Sequence, residues 1–222
     1  MTALAELAAL LEEVERAGTL VMTLARDGRP QEPWTLYPGE SGIFDRKTRS
    51  QVYYHAHAEA RHEAGHFHTV RLFPDRTAHL VAISMAEDGW PQGLFTVNGW
   101  AIGDAWEAPA NLTQYARRFH IGAGRGPEQV VRFVNLVFRA FLPEIEWLQD
   151  EKDRRLRAHR IEHPGRDPLE DRSLEILSRV EFDVRSRLGA GSPVQAVGRL
   201  TVASARGPRL AVPTIAAFPY PT

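Results

Sequence analysis

Residues 53–69 read YYHAHAEARHEAGHFHT, which is two runs of alternating side chains on either side of a loop. Alternation with a period of two is typical of β-strands, because successive side chains point to opposite faces of a sheet. The pattern predicts a β-hairpin in which His57 pairs with His66 and His55 pairs with His68. All four imidazoles then lie on one face of the sheet.

Four imidazoles on one face could bind a common divalent metal ion. Opposed Cβ atoms lie about 5 Å apart and imidazole nitrogens ligate metals at about 2.1 Å, so the rings can converge on one ion. The chain has no Cys, so the ligands must be nitrogen or oxygen atoms. Histidine ligands favour Zn, Fe, Cu or Ni, whereas two His with one carboxylate favour non-haem iron. The predicted ligands are His55, His57, His66 and His68, with Glu59 or Glu63 as further candidates.

Catalysis at such a site needs groups beside the metal ligands. Glu63 could serve as a general base, and Tyr53 falls on the same predicted face as His55. We therefore predict a metal-dependent enzyme that acts on a small molecule, with Glu63 and Tyr53 as catalytic residues and a metal-bound water or dioxygen as the reactive species. Two other interpretations remain open here: a non-catalytic ligand-binding or metal-binding module, and a structural protein whose histidines form a hydrogen-bond network.

The run His62-Glu63-Ala64-Gly65-His66 matches H-E-x-x-H, the zinc-binding motif of the zincin metalloproteases. That chemistry requires both histidines on one helical turn, with Glu63 as the general base. Gly65 is a common helix terminator, so the hairpin is the preferred interpretation.

A second predicted hairpin continues the histidine face into the core. Strands 67–73 and 79–85, joined through residues 74–77, place Leu72 opposite His79. His79 is then too far along its strand to reach the same ion and is expected to be an ordinary strand residue. On this register the histidine face continues with apolar side chains, namely Val70, Leu72, Val81, Ile83 and Met85.

Apolar spacing predicts the remaining elements. The expected N-terminal helix spans residues 3–17, and the helical region beyond residue 108 is interrupted by Pro143. We predict an α+β fold, in which an antiparallel sheet of about five or six strands packs with an N-terminal helix and a C-terminal helical half. The expected strands are 20–25, 52–57, 67–73, 79–85 and 94–100.

We expect one domain, because no segment has the composition of an interdomain linker. Its predicted parts are an N-terminal helix (1–18), a β-rich half with the histidine hairpin (19–105), a helical half (106–188) and an extended C-terminal segment (189–222).

The composition limits the expected partners. Lys and Arg number 27 against 28 Asp and Glu, so no overall field attracts phosphates, and we expect no nucleic-acid partner. We expect no membrane partner and a cytoplasmic location, because no apolar run reaches about 18 residues and the N-terminus lacks the basic start of a signal peptide. Arg71, Arg117 and Arg118 could bind an anionic substrate, although no motif links them. The oligomeric state is not predicted.

Two resemblances accompany these motifs. His55-x-His57 followed by Glu59 or Glu63 resembles the first cupin motif, which implies a variant cupin-like barrel with added helices as the alternative fold. Residues 93–99, where a second cupin motif would supply a histidine, contain none. The pattern YYHAH, GHFH and HLVAISM is similar to an uncharacterised bacterial family of unknown function, over about residues 50–150. A bacterial source also fits the presence of only two lysines among the 27 basic residues. That resemblance implies no activity.

Overall fold

A single antiparallel sheet organises the protein, for which a computed structural model describes residues 1–39, 41–58, 62–104 and 106–189. The strands follow one another across the sheet in chain order. Only the last connection is long, because several helices separate the fifth strand from the sixth. The strands are β1 (Ile43–Asp45), β2 (Ser50–His55), β3 (Gly65–Leu72), β4 (Thr77–Met85), β5 (Pro91–Val97) and β6 (Ile176–Glu181).

The helices precede the sheet or lie between β5 and β6, apart from a last short one. Thr2 caps the first helix, since its hydroxyl accepts the backbone N–H of Ala5 at 3.2 Å. Pro143 lies in the first turn of the longest helix, where its missing N–H costs no hydrogen bond. The helices are α1 (Ala3–Arg16), α2 (Val21–Ala25), α3 (Gly99–Ile102), α4 (Pro109–Arg117), α5 (Glu128–Ala140), α6 (Leu142–Glu162) and α7 (Val184–Gly189).

The apolar core lies between one face of the sheet and the helices α1 and α5. Phe67 of β3 contacts Phe133 of α5, with ring centroids 5.4 Å apart. Tyr54 lies on the same face of β2, because it pairs directly with Phe67. We call this the core face of the sheet. Its buried side chains include Val52, Tyr54, Phe67, Val81, Ile83, Met85 and Leu94.

The α+β prediction is confirmed, and three details of it are wrong. Residues 20–25 form α2 instead of a strand; the buried Val21, Met22 and Ala25 follow helical spacing, which a six-residue apolar run does not distinguish from a strand. The segment 106–188, predicted as the helical half, also supplies β6. The sheet is open, since β1 and β6 do not pair among the described residues, so the cupin-like barrel is not formed.

Two further expectations concern the ends of the chain and the membrane. The expected extended segment 189–222 lies, beyond Gly189, outside the described residues. Among the residues that the structure describes, no helix is long and apolar enough to cross a bilayer.

The register predicted for β3 and β4 is wrong by two residues at Leu72 and by one residue beyond a β-bulge. Leu72 pairs with Thr77, not with His79, and a β-bulge then shifts the ladder near Leu80. A slip of one residue exchanges the faces of a strand, so the predicted apolar continuation in β4 lies on the core face. Beyond the bulge, the histidine face of β4 carries Ala82, which pairs with His68, and Ser84, which pairs with His66.

Candidate metal site

The β2–β3 hairpin brings the histidines together on the face opposite the core. His55 pairs with His66, and Tyr53 pairs with His68. The predicted register is therefore wrong by two residues, but a slip of two keeps every side chain on its face. His57 lies beyond the end of β2, and its ring still lies 5.1 Å from that of His66. We call this side of the sheet the histidine face.

The ring nitrogens of the cluster converge on a small volume. The Nε2 atoms of His66 and His68 are 2.9 Å apart, and those of His55 and His57 are 3.0 Å apart. One ligating nitrogen from each of His55, His66 and His68 lies within 4.8 Å of the other two. These three histidines could hold one metal ion, and His57 borders the group through its contact with His55.

Glu63 fixes the orientation of His66. Its Oε1 lies 2.6 Å from Nδ1 of His66, and its Oε2 accepts the hydroxyl of Ser84 at 2.5 Å. Gln92 donates to the same hydroxyl oxygen at 3.1 Å. Burial raises the pKa of Glu63, but the hydrogen bonds from His66 and Ser84 outweigh it and hold that pKa below its ordinary value. Because an ionised carboxylate only accepts, Nδ1 of His66 donates to Glu63, and the neutral form of the ring presents the lone pair of Nε2 to the cluster.

A β-bulge adds His79 to the histidine face. Val70 pairs with His79, and directly paired residues share a face, so the bulge at Leu80 turns the His79 side chain towards His68. Nε2 of His79 lies 2.9 Å from Nδ1 of His68. The backbone N–H of His79 donates to Asp104 at 2.6 Å. The expectation that His79 is an ordinary strand residue is therefore wrong, although it is a neighbour of the metal-competent group and not a member of it.

Burial keeps the imidazoles neutral. Desolvation, together with the neighbouring rings of His66 and His57, lowers the pKa of His55 to about 2. Desolvation and His66 lower the pKa of His57 to about 4. The pKa values of His68 and His79 lie well below the ordinary value for the same leading reason, burial. Neutral imidazole is the form that ligates metals, so no proton has to leave these four rings at pH 7.

The site is closed by the sheet on one side and partly open on the other. His66 and His68 are buried, whereas His55 and His57 are half-buried. Trp34 packs against His57, with ring centroids 4.3 Å apart. The open side of the cluster therefore lies at the end of β2, between an aromatic wall and solvent.

Tyr53 packs on the inner side of the cluster. Its ring centroid lies 5.1 Å from that of His68. Burial and the charge of Asp104 raise the pKa of the Tyr53 phenol, so the hydroxyl stays protonated at neutral pH.

The zincin interpretation is wrong, because His66 lies in a strand and not on a helix. β3 begins at Gly65, and His62 is exposed. Gly65 has φ 151°, and a Cβ at this position would lie 2.3 Å from the hydroxyl of Tyr54. Gly65 therefore allows the close approach of Tyr54 on the neighbouring strand, and it does not end a helix. Glu59, the other candidate carboxylate, lies outside the described residues.

Sequence reasoning missed Ser84, Gln92 and the role of His79. The alternation of Ala82 and Ser84 contains the signal for Ser84, but only with the correct register of β3 and β4. No local pattern marks the bulge that turns His79 towards His68.

The family comparison agrees with the extent of this fold. A family model described as a domain of unknown function, DUF6969, matches residues 1–182. The chain belongs to the DUF6969 family. The match confirms the predicted resemblance to a family of unknown function and extends it in both directions. In this DUF6969 chain the matched region includes all six strands and therefore contains every residue of the candidate site. No curated protein and no solved structure matches the chain.

Proposed function

We propose that the protein binds one divalent metal ion, Zn, Fe, Cu or Ni, through His55, His66 and His68, and that it is a metal-dependent enzyme acting on a small molecule. The observation that carries the proposal is the Glu63–His66 pair. Its carboxylate holds Nδ1 of His66, so that Nε2 points into the volume shared with the other two imidazoles.

The surroundings of the ligands support coordination. Histidines that ligate metals almost always donate their second ring N–H to a carboxylate, a carbonyl or another acceptor, which orients the ring and raises its basicity. His66 has such an acceptor in Glu63, and His68 has one in Nε2 of His79. Two of the three proposed ligands thus have the outer partner that a metal site requires.

The half-buried side of the cluster favours catalysis over a purely structural ion. Structural zinc sites are closed by four protein ligands, whereas catalytic sites have three and leave one position for water or substrate. With His55, His66 and His68 as ligands, water or substrate would reach a bound ion from the side of the half-buried His55 and His57, next to Trp34. A bound ion would lower the pKa of water or bind dioxygen at that position.

The two predicted catalytic residues then have different roles. Both carboxylate oxygens of Glu63 are already engaged, so we assign it to positioning His66 instead of accepting a substrate proton. Tyr53, whose phenol stays protonated, is proposed as a hydrogen-bond donor beside His68 and not as an acid that releases its proton.

A metal-free hydrogen-bond network is the second candidate, because the same contacts can be satisfied by neutral rings alone. His68 would donate from Nε2 to His66, and His79 would donate from Nε2 to Nδ1 of His68. The histidines would then have a structural role. The two candidates differ in the tautomers of two rings: with a metal, His68 carries its proton on Nδ1 and Nε2 of His79 accepts it, whereas without a metal both rings carry their protons on Nε2.

Metal analysis of the protein purified without a polyhistidine tag tests the proposal. We expect about one Zn, Fe, Cu or Ni ion per chain in the wild type and almost none in His66→Gln. The matched control is His120→Gln, because His120 is exposed and lies outside the cluster. Equal, substoichiometric metal in all three proteins would overturn the proposal. If His66→Gln fails to fold, Glu63→Gln provides the same comparison with the ligands intact.

A further inference from the structure

Basic side chains gather at the end of β3 that is remote from His66. The turn between β1 and β2 has the sequence Arg46-Lys47-Thr48-Arg49. Arg71 lies near the end of β3, and Arg118 follows the last residue of α4. We call Arg46, Lys47, Arg49, Arg71 and Arg118 the basic turn surface.

Hydrogen bonds fix the three segments of this surface against one another. The backbone N–H of Leu72 donates to the carbonyl of Arg49 at 2.8 Å, which ties β3 to the turn. The hydroxyl of Thr48 donates to the carbonyl of His120 at 2.6 Å, and the N–H of His120 donates to Ser50 at 3.3 Å. These hydrogen bonds therefore fix the backbone positions of Arg49, Arg71 and Arg118 relative to one another.

Arg71 is held at the centre of the surface. Its Nη1 donates to the carbonyl of Thr48, and its guanidinium lies over the ring of Tyr115, 5.9 Å from the centroid. The side chain is half-buried, and Nε is covered without a hydrogen-bond partner. Burial lowers the pKa of Arg71 from its ordinary value. The nearby positive charges of Arg49 and Arg118 lower it further, because the three guanidiniums repel one another.

The surface lacks compensating acids. Within the described ranges, none of Arg49, Arg71 and Arg118 forms an ion pair. Asp45, at the base of the turn, is buried and accepts backbone N–H groups from Lys47 and Gly122 at 2.8 Å. Its carboxylate is thus occupied in holding the loops together.

Arg117, unlike Arg49, Arg71 and Arg118, has an acidic partner in the described part of the chain. It was predicted together with Arg71 and Arg118 as a candidate for binding an anion, but its Nε lies 2.6 Å from Glu146. We therefore retain Arg71 and Arg118 as candidates and add Arg49 from a different part of the sequence.

We propose that the basic turn surface binds the phosphate group of a small-molecule ligand, with Arg49, Arg71 and Arg118 as its principal contacts. Guanidinium donors match phosphate oxygens in pairs, and guanidiniums from separate segments can contact different oxygens of one tetrahedral dianion. A carboxylate has only two oxygens and one charge, so it would engage fewer of these donors. The proposal does not depend on the metal site.

Calorimetric titration of the full chain tests this proposal. The protein is first freed of metal by chelation and dialysis, so that an ion at the histidines cannot bind the probe. Inorganic phosphate, pyrophosphate and acetate are titrated at one ionic strength. We expect pyrophosphate to bind most tightly, phosphate next, and acetate at least about tenfold more weakly than phosphate.

Substitutions locate the binding. Arg71→Gln and Arg118→Gln should each weaken pyrophosphate binding by about tenfold or more, and Arg71→Lys should recover only part of the loss, because it restores the charge but not the planar guanidinium that Thr48 and Tyr115 hold in place. Arg160→Gln is the matched control, since Arg160 is exposed on α6 away from this surface. Arg118 is exposed, so its variant should fold even if those of Arg71 do not.

Three results would overturn the proposal. One is an equal loss of affinity in Arg160→Gln, which would show general attraction of anions. Another is acetate binding as tightly as phosphate. The third is much tighter binding of a single-stranded oligonucleotide than of pyrophosphate, which would assign the surface to nucleic acid and not to a small molecule.

Discussion

The two faces of the central sheet are built from alternate residues of the same strands, yet they bury opposite chemistry. On the core face, Phe67 packs against Phe133 of α5. On the histidine face, His66 and His68 are 4% and 3% exposed, nearly as buried as Phe67 between them at 1%. The first face gains free energy from the removal of apolar surface from water. The second buries polar rings, which costs free energy unless each ring has a partner.

This difference indicates what each face is for. The core face needs only shape and hydrophobicity to stabilise the fold. The histidine face pairs its rings with one another and with Glu63, which Ser84 and Gln92 support in turn, and among the described residues it leaves Nδ1 of His79 without a hydrogen-bond partner. Apolar residues of similar volume would stabilise the sheet more simply, so we infer that the histidines are present for their nitrogen lone pairs.

The largest effect is expected from a change on the core face. Phe67→Ala should lower the free energy of unfolding by about 3–5 kcal/mol, because a buried aromatic ring is replaced by a cavity. Urea denaturation of the metal-free protein measures the change. Ile161→Ala, at a position that is 81% exposed, should stay within about 0.5 kcal/mol of the wild type. A loss below 1 kcal/mol for Phe67→Ala would mean that this face does not dominate the stability.

On the histidine face, the outer carboxylate should control metal affinity. Glu63→Gln should weaken binding of the ion by about 10-fold to 100-fold, because the amide cannot hold Nδ1–H of His66 as an anion does. Competition with a chelator measures the affinity. The control is Glu162→Gln, whose side chain is exposed near the end of α6. Unchanged affinity in Glu63→Gln would separate this pair from the metal site.

Acid should destabilise the metal-free protein through the histidine face. The pKa of His55 is about 2 when folded and 6.5 in the reference state, so below pH 6.5 the unfolded chain binds a proton that the folded chain does not. Above pH 6.5 this proton has no effect on the free energy of unfolding. As the pH falls below 6.5, that free energy decreases by about 1.4 kcal/mol per pH unit, so the loss is about 2 kcal/mol at pH 5. His55→Gln should therefore lose less stability between pH 7 and pH 5 than the wild type does. Parallel urea midpoints across that range for the two proteins would contradict the buried neutral ring.

The smallest effect is expected at His79, which touches the proposed ligands only through His68. His79→Leu removes the acceptor of Nδ1 of His68 and should weaken metal binding by about tenfold. His79→Gln, which retains an acceptor, should recover part of the loss. Equal affinity in the wild type and both variants would show that the bulge at Leu80 has no bearing on the metal.

The sequence predicted the histidine face of the β2–β3 hairpin because its error there was two residues, and an even slip keeps His55, His66 and His68 on one side. In the next hairpin an error of one residue exchanged the faces of β4 and concealed Ser84. The alternation pattern alone sets neither the turn length nor a bulge, and both were needed to place His79. α2 and β6 were missed because short segments take their structure from packing, which local propensity does not determine.

The tautomer of His68 tests the central claim most directly. Nitrogen NMR of the imidazoles, recorded while one equivalent of Zn is added to the metal-free protein, distinguishes the two ring nitrogens. We predict that in the zinc-bound protein Nδ1 of His68 carries the proton towards His79 and Nε2 is metal-bound. A His68 ring that keeps its proton on Nε2 throughout the titration would contradict the metal site and leave the histidine face as a hydrogen-bond network.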